Sequence, residues 1–501
     1  MEKIKVIVLN PPSPDNSYIN RDQMGGMGQK IDFGKGNYKA KILSKLKSNF
    51  IHLPVVQLVY AATMLAEKDF DVKVIDALNM NMDLQQTLDA AKDFDPSILV
   101  MGVSSSYLLF ERDKVAKGFK DMFPNIKVVT VGDTLTHAVD QFKAPFDVAI
   151  TGEVERVIVD ICASAKNLSE IDGIIFFSDG IVTINKEKSV IKSDELNNIP
   201  FPRWDLFPYQ KYQYYPLLMR TPVATLQSTR GCPYGCGYCS YPANQGLMWR
   251  YRSAINIVDE IQNDVEKYGF QGIAFRDPLF TLNLKRIEEI CDFILQRKID
   301  VVFSFETRPE LLNHEMLDKL YKAGCRAINF GVEDVHPEIL KMIHRKPIDQ
   351  DKIIDTVHYA ESLGIRTTCF FIIGLPGSTK DTINETLEFS RKLNISHADY
   401  KIATPYPGTP LYAMAKANNW VKKEGYDNLG GYSATMQISD ELNPEYLEQV
   451  CNDAFNKFYI RPRYFFREIR KGNLVKKAAM IVKSLRSRSP VSMSNQHVEM
   501  A

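Results

Sequence analysis

Ser228-Thr229-Arg230-Gly231-Cys232-Pro233-Tyr234-Gly235-Cys236-Gly237-Tyr238-Cys239-Ser240 is the stretch from which the rest of this chain is read. Three cysteines at C-x3-C-x2-C spacing lie on a loop bearing Gly and Pro, so their thiolates can converge on one metal centre. Thiolates suit zinc or iron–sulfur. Structural zinc takes four protein ligands, commonly as two spaced pairs. Here no fourth Cys or His is near: the nearest histidines in sequence are His137 and His314. A [4Fe–4S] cluster normally has four cysteine ligands, so three leave one iron free, and an open position marks chemistry rather than support. A zinc site completed by a distant residue is the competing reading. Cys162, Cys291, Cys325, Cys369 and Cys451 are scattered through apolar or helical surroundings and read as core thiols.

The cysteine loop follows a strand, Val223–Ser228, and opens a series. Helix 254–268 carries Ile255, Val258, Ile261 and Val265 at helical spacing. Then come strand 272–276, helix 283–296, strand 301–305, helix 309–322 and strand 327–332. Helical stretches at 337–343 and 350–363, strand 367–373, helix 380–393 and strand 398–403 complete it. Six strands joined by helices predict a parallel, partial (β/α)6 barrel over 223–410, with a second flat sheet as the alternative. Polar residues gather just after the strands, where such a barrel builds its site. Residues 1–160 alternate in the same way, with strands at Val6–Leu9, Val72–Ile75, Ile98–Val103, Lys127–Val131 and Val148–Thr151. Continuous apolar strands between amphipathic helices predict a Rossmann-like, doubly wound parallel sheet, an α/β domain with its ligand edge at the strand carboxyl ends. An insertion at 13–49, rich in Gly, Lys and Asn, reads as a loop. Residues 161–222 form a connecting region with a small hairpin (173–177, 181–185) and a Pro- and aromatic-rich linker, Ile199–Trp204. Residues 411–501 form a helical extension ending in a basic segment and a disordered tail from Ser489.

Composition narrows the class. The chain has 501 residues, 45% hydrophobic and 25% charged, with a formal net charge of +1, which gives no global signal for nucleic acid. The start, Met-Glu-Lys-Ile-Lys-Val-Ile-Val-Leu-Asn, is neither a signal peptide nor a span, and nothing approaches the ~18 apolar residues a crossing helix needs. A cytoplasmic protein is expected, and a tight cysteine cluster in that setting reads as metal or redox chemistry.

The cysteine motif resembles the signature of the radical S-adenosylmethionine superfamily. Tyr241–Gly246 and Trp249–Ser253 resemble the subgroup with an N-terminal cobalamin-binding-type domain, which includes cobalamin-dependent methylases and the anaerobic Mg-protoporphyrin ester cyclase. The resemblance runs from about residue 4 to 415. It implies a [4Fe–4S] cluster on Cys232, Cys236 and Cys239 that cleaves S-adenosylmethionine to a 5′-deoxyadenosyl radical. For S-adenosylmethionine it implies Tyr238 beside the adenine and Glu333 on the ribose or methionine part. Lys346 would face the carboxylate, with Arg345 the competing choice, and the Gly374 turn would pass the adenine. Asp277, Glu306, Arg308 and Tyr406, at strand ends, are the implied catalytic or substrate residues; Glu306, Arg308 and Glu333 pairing with one another is the alternative. For cobalamin the resemblance implies Ser104, Gly132, Gly152 and Glu153, with Asp133 close to the corrin. No D-x-H-x-x-G sequence occurs, so a histidine axial ligand in that form is not offered.

The implied function is cobalamin-dependent methylation of an unactivated carbon in a lipid, glycan or secondary metabolite. Radical cyclisation or oxidation without methyl transfer is the alternative, and a non-catalytic cobalamin- or redox-responsive protein is a third. The expected partners are a small-molecule or lipid substrate and an electron donor such as flavodoxin or ferredoxin. Ten basic residues between Arg461 and Arg488, mixed with Leu474, Val475, Met480 and Ile481, suggest peripheral contact with anionic lipid at the inner membrane face. A solvated helix docked on the barrel competes with that reading.

Overall fold

The computed structural model describes residues 3–14, 18–21, 29–31, 51–163, 167–178, 180–186, 190–422 and 429–470. The chain divides into two units, residues 1–456 and 457–501. The first unit holds two large sheets.

In the first sheet, β1 (Lys5–Asn10), β2 (Asp71–Asp76), β3 (Ile98–Gly102), β4 (Lys127–Val131) and β5 (Val148–Ile150) run parallel. Helix α1 (Val56–Ala66) joins β1 to β2, α2 (Leu84–Lys92) joins β2 to β3, and α3 (Val154–Ala163) follows β5. The hairpin β6 (Ile174–Ser178) and β7 (Ile181–Ile184) then pairs antiparallel onto β5, giving the order β7-β6-β5-β4-β3-β1-β2. The sheet therefore runs past the expected boundary at 160. A hairpin leaves one edge unpaired, and β5 offered the matching donors and acceptors. Ile7, Leu99, Met101, Val128, Phe119 and Phe142 fill one face of the core. The chain reverses winding between β1 and β3, so their carboxyl ends form the crevice expected of such sheets.

The second sheet is fully parallel, in the order β8 (Val223–Leu226), β9 (Gly272–Phe275), β10 (Val302–Thr307), β11 (Cys325–Glu333), β12 (Arg366–Ile373) and β13 (His397–Ile402). Neighbours in sequence are neighbours in space, joined by α4 (Ala254–Tyr268), α5 (Leu284–Gln296), α6 (His314–Lys322), α7 (Pro337–Met342) with α8 (Gln350–Leu363), and α9 (Lys380–Lys392). The bounds of α4 and α8 fall where periodicity puts them, each closed by a left-handed glycine, Gly269 or Gly364. The helix expected over 309–322 is instead a 3-10 turn, Pro309–Leu311, and then α6, because the Asn313 side chain accepts from Met316 N–H and starts a new helix.

The linker is packed rather than loose. Trp204 is fully buried, donates Nε1–H to Asp264 (2.9 Å) and meets Phe270 edge-on at 5.2 Å. Tyr214, Leu217 and Leu218 pack with Val223, Ala274 and Ala327 of the second sheet. Helix α10 (Pro410–Ala417) and α11 (Pro444–Tyr459) follow β13. In the second unit the described residues include α12 (Pro462–Arg470). Most of the expected insertion at 13–49, and the basic segment and tail from 471 onward, lie outside the described residues.

Candidate functional site

The cysteine loop hangs from the carboxyl end of β8. Asp277, at the end of β9, is buried and accepts from Ser228 N–H (2.6 Å), Ser228 Oγ–H (2.5 Å) and Thr229 N–H (3.1 Å). Both its oxygens are thereby engaged, and Asp277 holds the base of the loop. Burial raises its pKa against the opposing pull of Ser228 and Arg286. Thr229–Arg230 pairs antiparallel with Arg250–Tyr251, making a neck. At Gly231, φ is +74° and a Cβ would collide with the Met248 carbonyl oxygen, so only glycine turns the chain here. Beyond it Cys232 N–H donates to Gly246 O (3.1 Å), Cys239 N–H to Cys236 O (3.0 Å) and Gly237 N–H to Ile343 O (2.7 Å).

The three thiols are unbridged, with Cys236 buried and Cys232 and Cys239 partly so, and they lie within each other's electrostatic reach. Burial pushes the Cys232 and Cys239 thiols up, while Arg308 and Arg345 pull Cys232 down. Among the described residues, no group of three or more His, Cys, Asp or Glu side chains converges as a single-ion site.

Arg345 is the central cation. Its guanidinium is buried and donates to the Gly331 carbonyl, lies 3.5 Å from Tyr238 Oη and 4.0 Å from Cys236 Sγ, and faces Glu333 Oε1 at 4.0 Å. Lys346, the expected basic residue, is exposed, and its carbonyl accepts from Arg308 (3.1 Å). His344 stands at φ +54°, which turns the following arginine inward and the lysine out. Glu333 itself adopts φ +69° after a bulge in β11 and folds back over Gly331, where a Cβ would stand 2.5 Å from its Oε1. Backbone held this way by a non-glycine residue marks functional sites. Burial raises the Glu333 pKa, opposed by Arg345 and by the Tyr238 hydroxyl.

Glu306, Arg308 and Glu333 do not pair with one another. Arg308 bonds Glu310 (2.5 Å) and lies 4.2 Å over the Tyr234 ring, and its buried Nη1 has no protein partner. Glu306 accepts from Asn329 (3.4 Å). Tyr406 is buried in the turn after β13, and Gly374, at φ +78°, is approached by Leu447 of α11, 3.0 Å from its Cβ position.

At the carboxyl edge of the first sheet two expected side chains are already engaged. Ser104 donates N–H (2.6 Å) and Oγ–H (2.9 Å) to Glu111, which is fully buried and ion-paired with Arg21 (2.7 Å). Glu153 binds Arg230 (2.9 Å) and Arg250 (2.7 Å) and accepts from Ile191 N–H. Burial would raise its pKa, but the two guanidiniums outweigh burial and hold it low. Glu153 thus clamps the first sheet to the neck of the cysteine loop. Gly132 (φ +133°) and Gly152 stay at the ends of β4 and β5. Asp133, buried beside Gly132, has its carboxylate bonded by Gln57 at 3.3 Å and its pKa pushed up to about 7 by burial, with Glu153 adding to the rise. Sequence reasoning did not single out Tyr234, Gln57 or the Arg230–Arg250 pair; only Arg230, next to Gly231-Cys232, carries a local signal.

Residues 226–390 match the family described as the Radical SAM superfamily. The chain is 30% identical over 433 residues to an uncharacterised methyltransferase of Pyrococcus horikoshii, covering 85% of this chain and 92% of the relative. It is 28% identical over 360 residues to the anaerobic magnesium-protoporphyrin IX monomethyl ester cyclase of Rubrivivax gelatinosus, covering 68% of this chain and 62% of the cyclase. In fold it is similar to the radical S-adenosylmethionine methyltransferase TsrM of Kitasatospora setae, solved with cobalamin and a [4Fe–4S] cluster. The TM-score is 0.64 and the identity 16%, over 84% of this chain and 80% of that one.

Proposed function

This chain belongs to the radical S-adenosylmethionine superfamily, and from that premise we propose that it is a cobalamin-dependent methylase acting on an unactivated carbon. In this reading the second sheet is a partial barrel over 223–410, and Cys232, Cys236 and Cys239 carry a [4Fe–4S] cluster. Once bound, the cluster would supply the electron that cleaves S-adenosylmethionine, and cobalamin would supply the methyl group. The observation that carries the reading is the array of buried Arg345 and Glu333 with half-buried Tyr238 against three unbridged cysteines at the strand carboxyl ends. Arg345 offsets the negative charge of thiolates and ligand carboxylate, and the unpartnered Arg308 Nη1 offers a second donor for an anionic group. Glu333, fixed by its bulge, presents an acceptor to ribose hydroxyls. The first sheet presents Gly132, Asp133 and Gly152 as the corrin edge, and the paired sheets fix two cofactors in register, which removes much of the entropic barrier.

Anaerobic protein given iron, sulfide, dithionite, S-adenosylmethionine and cobalamin tests this. About four irons per chain are expected, lost in the triple Cys232→Ala, Cys236→Ala, Cys239→Ala variant, with 5′-deoxyadenosine and S-adenosylhomocysteine both formed once substrate is supplied. Zinc alone in the native protein, or iron retained by the triple variant, would overturn it.

A second reading, radical ring closure or oxidation without methyl transfer, draws on Ser104 and Glu153 being engaged within the fold. It expects 5′-deoxyadenosine at full rate without cobalamin and no S-adenosylhomocysteine. Peripheral binding to anionic vesicles through the basic segment belongs to the proposal too. Truncation after Ile460 should abolish it, and unchanged vesicle binding would remove it.

A further inference from the structure

One face of the second sheet is apolar at its floor and polar above it. Val223, Ala274, Val302 and Ala327 pack there with Tyr214, Leu217 and Leu218 of the linker. Successive strand residues face opposite sides, so residues two further along share this face: Thr225, Arg276, Ser304 and Asn329. The register sets Thr225, Ala274 and Ser304 in one row. Glu306, Asn329 and Thr368 form another, nearer the carboxyl ends.

These rows are short of hydrogen-bond donors. The Asn329 amide is oriented by donating to Tyr214 Oη (3.3 Å) and Glu306 Oε1 (3.4 Å), which leaves its own buried Oδ1 without a partner among the described residues. The buried hydroxyls of Thr225 and Thr368 have no partner there either. Glu306 is half-buried, and among the described residues it meets no cation within ion-pair reach. The cations of this face are engaged elsewhere. Lys401 pairs with Asp399 (3.5 Å) and lies 3.7 Å over the Tyr432 ring, while Tyr432 Oη–H donates to Asp399 (2.9 Å). Arg276 is held within the fold. The charge of Glu306 is felt by Tyr214 on one side and by Glu333 on the other, so Glu306 stands between the floor and the array around Arg345.

We propose that Glu306, Asn329, Thr225 and Thr368 bind the substrate, and that this substrate is a small hydrophilic amine, its ammonium on Glu306 and a neighbouring hydroxyl on Asn329 Oδ1. The inference rests on the methylase reading above and names its substrate class. A carboxylate withdrawn from water without a cation is costly, and an ammonium supplies both the opposite charge and a charge-assisted hydrogen bond. A hydrocarbon chain laid on this face would bury the open acceptors without partners. An anionic group would meet the like charge of Glu306. The ammonium of S-adenosylmethionine is the competing occupant, and the test separates the two.

The test uses the full-length, reconstituted protein with S-adenosylmethionine bound. The probes are D-glucosamine below its amine pKa, D-glucose, which differs by that one group, and decanoate. Dissociation constants come from saturation-transfer NMR, which needs no turnover. Glucosamine should bind about tenfold or more tighter than glucose, and decanoate should not displace it. Glu306→Gln keeps the shape and an acceptor for Asn329, so its thermal midpoint should stay close to the native value. In that variant the two sugars should bind alike, while S-adenosylmethionine affinity, measured by equilibrium dialysis, is unchanged. Failure of every probe to bind, a glucosamine preference absent from the native protein or surviving in Glu306→Gln, or displacement by decanoate would each overturn the assignment. So would weakened S-adenosylmethionine binding in Glu306→Gln, which would give Glu306 to the cofactor. A native protein that assembles no iron or takes up no S-adenosylmethionine would instead sink the cluster reading, an outcome visible before any probe is added.

Discussion

Replacing Asp133 with Asn should stabilise the protein, and by an amount that grows with pH. The Asp133 carboxyl is buried, accepts from Gln57 Nε2 and has its pKa pushed from 3.8 up to about 7, chiefly by burial and then by the Glu153 charge. Unfolding returns it to 3.8, so between the two values the folded state binds a proton that the unfolded state lacks. Its penalty is therefore absent below the unfolded value, grows as pH rises, and levels off above about 7. At 1.36 kcal/mol per unit, the shift amounts to about 2 kcal/mol at pH 5 and about 4 kcal/mol at pH 8, as an upper figure. Asparagine keeps an acceptor for Gln57 and carries no charge, so it removes the penalty while leaving the packing alone. Urea unfolding of native and Asp133→Asn proteins, both free of cobalamin, should show nearly equal stability at pH 4 and a gap that opens towards pH 8. A gap that stays flat across that range, or a variant weaker at pH 8, would refute the reasoning.

Arg345→Met should cost about 3 kcal/mol, because Glu333 is left buried without its cation. Adding Glu333→Gln should recover part of that loss in thermal unfolding, since the two are coupled. Gly231→Ala should yield protein that takes up no iron, whereas Gly246→Ala, with φ +81° but open space around the added carbon, should cost only the ~1–2 kcal/mol of left-handed backbone. Iron content against denaturation midpoint separates the two. Glu153→Gln should lower iron retention during gel filtration, as Arg250 loses its carboxylate and the loop neck loosens. Equal retention would mean that the clamp does not hold the neck.

What could be read from the sequence follows the range of the forces involved. Helices such as α4 and α8 were legible to the residue because periodicity and a following glycine are local. The strand order of the second sheet was legible for the same reason, each helix returning its strand to the neighbouring place. The partners of Asp277, Ser104 and Glu153 were not legible, because a carboxylate or hydroxyl at a strand end looks alike whether it faces a ligand or a partner elsewhere in the chain. Asp277 meets Ser228 and Glu153 meets Arg230 and Arg250, and no window of sequence contains both members of such a pair. Arg345 and Lys346 both follow the left-handed His344, and only the fold shows which of the two neighbours turns inward. The hairpin 174–184 was seen, but the open edge of β5 that captures it was not.

The clamp formed by Glu153, Arg230 and Arg250 sets an order of assembly. During synthesis the first sheet can be complete, hairpin included, before residue 228 leaves the ribosome. The two arginines that bracket the cysteines then emerge onto an acidic site already in place, and the neck closes as soon as Arg250 is made, well ahead of β9 to β13. The neck of the cysteine loop is thus closed by the part of the protein made first, while its base is held by Asp277 of the second sheet. A piece beginning at 223 would keep every cysteine and every strand of the second sheet and still lack the carboxylates that hold the loop's neck. Iron delivered to such a piece would meet three thiols on a loop held at its base by Asp277 but open at its neck.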